Sequence, residues 1–153
     1  MALIAGTNSY VTLEEANEYL AGAFKADAWT EASEADREAA LITASRQIDR
    51  QPLRGAKAAA DQPLQFPRAG QVGVPREVKA AVCEQAIFLL RQSEYDRKRE
   101  LAIQQGVGSV TIGDASETID PAVVRVRMTT TTICPAAQEL LRPWLGGRVV
   151  RIV

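Results

Sequence analysis

The chain has 153 residues, 46% of them hydrophobic and 24% charged, a balance ordinary for one globular domain of this length. Its net charge of −1 and 5% aromatic content give no ground for general nucleic-acid affinity, and the absence of any histidine removes the commonest general base, the usual catalytic triads and most zinc sites. No stretch approaches the roughly 18 consecutive apolar residues that cross a membrane, and the N-terminus carries no signal-peptide pattern, so a soluble cytosolic product is expected.

Thr12-x-x-Glu15 is a capping box, and Val11 before it can staple onto Ala16. A first helix follows to about Gly22, with Leu13, Ala16, Tyr19 and Leu20 on one face and Glu14 and Glu18 opposite. Ser33 and Asp36 open a second helix reaching about Arg50, striped by Leu41, Ser45 and Ile48 and widened by Ile42 and Ala44. Trp29 precedes it and is expected to pack over the helix pair. Pro52 then stops the helix.

Residues 51–75 hold Pro52, Pro63, Pro67, Pro75, Gly55, Gly70 and Gly73 and read as a long irregular loop. Phe66 is its anchor, as a core plug or in a partner's pocket. Pro75 suits the first turn of a third helix whose core stripe is Val78, Val82, Ala86, Leu89 and Leu90, with Ala81, Ile87 and Phe88 beside it. Cys83 falls in this run as a small core residue, and a disulfide to Cys134 stays open. Past Arg91 the chain turns polar, and a continuation to about Gln104 would form a charged arm that includes Arg97, Lys98 and Arg99. Their acidic neighbours Glu94, Asp96 and Glu100 favour a self-paired helix surface over a nucleic-acid contact.

Gly106 and Gly108 end that stretch. Ser109–Ile112 alternates as a strand, Gly113-Asp114 marks a turn, and Glu117-Thr-Ile119 can return as its partner. Residues 121–134 are β-branched and threonine-rich and read as extended or loosely structured. Pro135 opens a last helix with an apolar patch of Leu140, Leu141, Trp144 and Leu145, kinked or shortened by Pro143 and closed by Gly146-Gly147. The tail Arg148–Val153 has strand propensity and could join a neighbour's sheet edge. The expected fold is therefore mainly α: a single domain over 1–153, built as a bundle of about four helices (12–104 and 135–145), with a β-hairpin arm (106–134) and an extended C-terminal tail.

Charge is unevenly distributed. Residues 1–50 hold nine acids and four bases, whereas residues 121–153 hold Arg125, Arg127, Arg142, Arg148 and Arg151 against Glu139 alone. This is either uneven solvated surface or a head-to-tail contact between copies. The carboxylates Asp114, Glu117 and Asp120 match no calcium loop, so neither a metal nor any other cofactor is expected. No CxxC, GxSxG or phosphate-binding glycine motif occurs. The reading at this level is a binding protein, not an enzyme.

An ordered set of segments carries a family likeness: Asn8-Ser-Tyr-Val-Thr-Leu-Glu-Glu-Ala-Asn17, Ala28-Trp29-Thr30, Ala40-Leu-Ile-Thr-Ala-Ser-Arg-Gln-Ile-Asp49, Phe66-Pro67-Arg68, Val74-Pro75 with Val78-Lys79-Ala80, Gly113-Asp114, and the helix from Pro135 to Leu145. Together they resemble the small head–tail connector proteins of tailed bacteriophages, one branch of which is labelled as DnaT-like single-stranded-DNA-binding proteins. Phe66 stands where such proteins usually have tryptophan, and the tail Arg148–Val153 is extra. The resemblance implies a virion component made in the host cytoplasm, docking as a ring, commonly of twelve copies, between the portal protein and the tail or next connector, with a non-specific contact to packaged DNA. On that reading Arg125, Arg127, Arg142, Trp144, Arg148, Arg151 and Val153 are candidates for a subunit or portal interface, and Arg97, Lys98 and Arg99 for a channel or inter-subunit arm. The alternatives are a single-stranded-DNA-binding replication accessory, for which the chain's acidity and few aromatics are unfavourable, and a transient assembly factor.

Overall fold

The computed structural model describes residues 1–92, 98–99, 101–102, 105, 109–112, 115–118 and 133–146. The chain divides into two compact units, one of Met1–Leu90 with Ile133–Val153 and one of Arg91–Thr132. The architecture is mainly helical, with five α-helices among the described residues.

The first unit begins with α1 (Leu13–Ala21), whose start is fixed by a reciprocal cap. Glu15 N–H donates to Thr12 Oγ1 at 3.1 Å, and Thr12 N–H donates to Glu15 Oε2 at 2.9 Å. Val11, Ala16 and Leu20 are buried in the core. Tyr19 departs from the expected inward face: it is 41% exposed, and its hydroxyl donates to Glu84 Oε1 at 3.0 Å, because a phenol with a carboxylate in reach keeps its polar end wet. A short helix, α2 (Asp27–Glu31), holds Trp29, which is buried. Its indole N–H donates to Asn17 Oδ1 of α1 at 2.9 Å. From α3 (Glu34–Asp49), Arg37 donates to the carbonyls of Trp29 and Thr30, each at 2.8 Å, and its guanidinium lies 5.7 Å from the Trp29 ring centroid. Trp29 thus locks α2 between its neighbours.

Ser33 caps α3 by accepting from Asp36 N–H, and Leu41, Ala44, Ser45 and Ile48 form its buried stripe. Buried Ser45 is satisfied by the Tyr10 N–H at 3.2 Å. α4 (Arg76–Arg91) starts on the Pro75 carbonyl, which accepts from Val78 and Lys79. Its buried residues are Val78, Ala81, Val82, Cys83, Gln85, Ala86 and Ile87, whereas Leu89 and Leu90 are only partly covered. The buried stripe therefore turns toward Gln85, which the apolar pattern of the sequence did not mark. α5 (Pro135–Leu141) passes into a 3₁₀ turn, Arg142–Trp144, at Pro143, which has no N–H to continue the α-helical ladder.

The loop between α3 and α4 has neither helix nor strand, and Phe66 does plug the core, at 2% exposure. It meets Tyr10 and Trp144 edge-on, each with ring centroids 5.9 Å apart. Isolated bridges Lys57↔Arg68 and Leu53↔Leu145 tie the loop to itself and to the segment after α5.

In the second unit, residues 98–99 and 101–102 are helical, and β1 (Ser109–Ile112) pairs antiparallel with β2 (Ala115–Thr118), Ser109 opposite Thr118. The return strand thus begins earlier than the Glu117–Ile119 expectation. An isolated pair of four-residue strands is marginal. The β-hairpin arm is not supported as part of the architecture, which stands as helical. The extended stretch expected over 121–132 and the tail 148–153 lie outside the described residues.

Candidate functional site

The buried polar groups of the first unit serve the fold. Tyr10 donates its hydroxyl proton to Asp49 Oδ1, and the Tyr10 hydroxyl oxygen accepts the N–H groups of Gln65 at 3.0 Å and Phe66 at 3.2 Å. Burial, then the neighbouring Asp49, pushes the Tyr10 hydroxyl far up, so it remains a donor at every physiological pH. Burial likewise raises Asp49. Arg68, 7% exposed, spends its guanidinium on the carbonyls of Arg54, Gly55 and Gln65 and on Gln65 Oε1, so it fastens the loop and has little left for a ligand.

Both cysteines are free thiols in buried positions. Desolvation pushes Cys83 up to about 12 and also raises Cys134, so neither thiol offers a thiolate at neutral pH.

A groove of about 600 Å³ runs beside α1 and α4, lined by Val11, Tyr19, Ala80, Cys83 and Leu140 with Glu15, Glu18, Glu77, Arg76 and Lys79 around it. Its cations are engaged: Lys79 Nζ is 2.7 Å from Glu15 and Arg76 Nε is 3.1 Å from Glu77. Lys79 and the Thr12 N–H hold the Glu15 carboxyl below its ordinary range. With three carboxylates at its rim, this groove is a poor place for an anion.

Gly146 N–H donates to the Pro52 carbonyl at 2.5 Å, and Arg54 N–H donates to the Trp144 carbonyl at 2.8 Å, so the chain after α5 straps across the start of the long loop. A side chain at Gly146 would place its Cβ 3.0 Å from the Pro52 oxygen and 4.0 Å from Arg54 Cγ. That contact is tighter than most Cβ contacts, so a larger residue there requires the strap to give by a few tenths of an ångström. The strap sets exposed Arg54 beside half-buried Trp144, with exposed Arg50 just upstream at the end of α3 and exposed Arg142 in the same 3₁₀ turn as Trp144. Arg142 pairs with Glu139 at 2.5 Å, both side chains largely in solvent. The strap thus gives a candidate edge of Arg54, Arg142 and Trp144, with the indole packed on one side against Phe66 and Arg142 sharing its charge with Glu139.

Of the candidate residues drawn from the sequence, Arg142 and Trp144 lie on this edge. Arg97, Arg125, Arg127, Arg148, Arg151 and Val153 lie outside the described residues, and Lys98 and Arg99 belong to the second unit. Sequence reasoning missed Arg50 and Arg54. The fold brings Arg54 to Trp144 across most of the chain, and the local signal was only Gly146, which permits the close approach.

A sequence family described as "Putative DnaT-like ssDNA binding protein" matches residues 2–153. No curated protein and no solved structure matches the chain. The family match overturns the head–tail connector reading, and with it the virion, portal, tail and ring partners: what it points to is contact with DNA. The reason the segments misled is physical. Thr12–Glu15, Tyr10, Ser45, Asp49, Phe66, Arg68 and Pro75 are caps, core plugs and loop fasteners, so they report how the bundle is built and not what it docks against. Matched over residues 2–153, the chain belongs to the DnaT-like ssDNA-binding protein family.

Proposed function

We propose that this chain binds single-stranded DNA without strong sequence preference, through the basic edge of Arg50, Arg54 and Arg142 around Trp144, and that it acts as a binding protein and not as a catalyst. The observation that carries the reading is the Arg54 N–H to Trp144 carbonyl bond, which joins the main chains of an exposed arginine and a half-buried tryptophan far apart in sequence. Single-strand binding without sequence readout needs cations that track phosphates and a ring on which a base stacks. On this reading exposed Arg50 and Arg54 supply the cations, Arg142 shares its charge with Glu139, and the part of Trp144 not covered by Phe66 supplies the ring. The net charge of −1 argued against DNA only as an average. Charge acts locally, and the proposed edge sets Arg50, Arg54 and Arg142 against Glu139. Family membership supports the same reading.

The test is a fluorescence-anisotropy titration of the full chain with a labelled oligo-dT at several salt concentrations. Binding weakens with salt by a slope of about −0.7 per phosphate contacted, and Arg54→Glu with Arg142→Glu reduces both affinity and slope. A chain that binds no oligonucleotide at low salt, or a double variant that binds like the parent, defeats the proposal.

A further inference from the structure

The loop between α1 and α2 displays an aromatic ring in an unusual way. Phe24 is 86% exposed, against 41% for Tyr19, half-burial for Trp144 and Phe88, and 2–3% for Tyr10, Trp29 and Phe66. Its flanks are pinned: Ala23 and Ala26 pack against the core, and Ala23 N–H donates to the Leu20 carbonyl at 3.1 Å. Between them Lys25 adopts φ 56°, a left-handed conformation that a non-glycine residue rarely takes. Its ammonium stands 5.5 Å from the Phe24 ring centroid. The loop thus presents a ring and a cation side by side on a backbone anchored at both ends.

We infer that Phe24 is a base-stacking contact for single-stranded DNA, with Lys25 placed for the phosphate beside the stacked base; this rests on the function proposed above. Every base has a π-face, so one outward ring serves any sequence. Asp27 follows Lys25 by two residues and offsets its charge, so the contact draws on stacking more than on ion pairing. That distinction gives the test its power. Phe24→Ala lowers affinity for oligo-dT about tenfold, or about 1.4 kcal/mol, while leaving the salt slope at the parent value, because no phosphate contact is removed.

The substituted residue is on the surface, so its loss spares the fold, and Val72→Ala, at an equally bare position, is the control that should bind like the parent. Phe24→Trp should restore affinity and add a fluorescence quench on oligo-dT beyond that of the parent's own tryptophans. If Phe24→Ala binds like the parent while the Arg54 and Arg142 variants weaken, the stacking role is wrong and the DNA-binding reading stands. If Phe24→Trp binds with no added quench, the ring does not meet a base and the role is equally wrong. If the parent binds no DNA, both fall together.

Discussion

The Tyr10 hydroxyl donates to Asp49 Oδ1 while accepting the Phe66 N–H at 3.2 Å, so one phenol joins the N-terminal segment, the end of α3 and the core plug of the long loop. Tyr10→Phe keeps the edge-on ring contact with Phe66 but leaves that buried N–H without its acceptor and Asp49 with only the Gln65 N–H as donor. An orphaned buried polar group costs about 1–3 kcal/mol. Urea denaturation followed by circular dichroism should show a lower midpoint of that size. An unchanged midpoint would mean that water replaces the hydroxyl and that the network is not what holds the loop.

Asp49 makes the stability of this network depend on pH, with a sign opposite to that of most carboxylates. Burial raises its folded value above 3.8, and the hydrogen bonds from Tyr10 and Gln65 only partly offset that. A group with a raised folded value contributes fully below its unfolded value and loses that contribution as pH rises through the folded one. The parent should therefore lose stability relative to Asp49→Asn as pH climbs from below 3.8 through the raised folded value, then hold a constant difference. Glu15, lowered by Lys79 and Thr12, works the other way and is common to both proteins, so it cancels in the comparison. A difference that stays flat across this range, or that grows in favour of the parent, would show that Asp49 is not desolvated in the folded chain.

Gln85 is fully buried in α4, where its Nε2 donates to Gln47 Oε1 at 2.7 Å and its Oε1 accepts the Cys134 N–H at 2.7 Å. It therefore ties α3, α4 and the start of α5 through one amide. Gln85→Leu matches the size and removes both bonds, so a loss of about 1–3 kcal/mol is expected. Looser anchoring at residue 134 should also speed the labelling of Cys134 by a thiol reagent more than that of Cys83, as resolved by peptide mass spectrometry. Equal acceleration at both cysteines would indicate general loosening and not release of α5.

The local rules of the sequence reached much of this. The Thr12 and Ser33 caps, the Pro75 start, the Pro143 kink and Phe66 as a plug each follow from chemistry within a few residues. What escaped were relationships set by tertiary contact. α2 is only five residues long, has no side-chain cap at Ala26, and forms because Asn17 and Arg37 grip Trp29 and the α2 backbone from both sides. Gln85 and Arg68 look like surface residues by type and are buried because each finds fixed partners. The candidate edge was half legible: Arg142 and Trp144 stood out, but nothing near Arg54 in the chain says that it lies beside them.

Gly146 is where fold and proposed function can be separated. Its N–H bond to the Pro52 carbonyl and the Leu53↔Leu145 bridge hold the strap that places Arg54 at Trp144. Gly146→Ala drives a methyl to 3.0 Å from the Pro52 oxygen, a backbone atom that cannot swing aside as a side chain would. The strap must shift, at about 1–3 kcal/mol, and the indole contact with Phe66 should loosen, reported by a change in Trp144 emission. On the proposed reading the variant also loses affinity for oligo-dT although every arginine remains, because the Arg54 and Trp144 main chains are no longer held together. Destabilisation with unchanged affinity would keep the strap as a structural device and remove this edge as the DNA site. Unchanged stability would contradict the close approach itself.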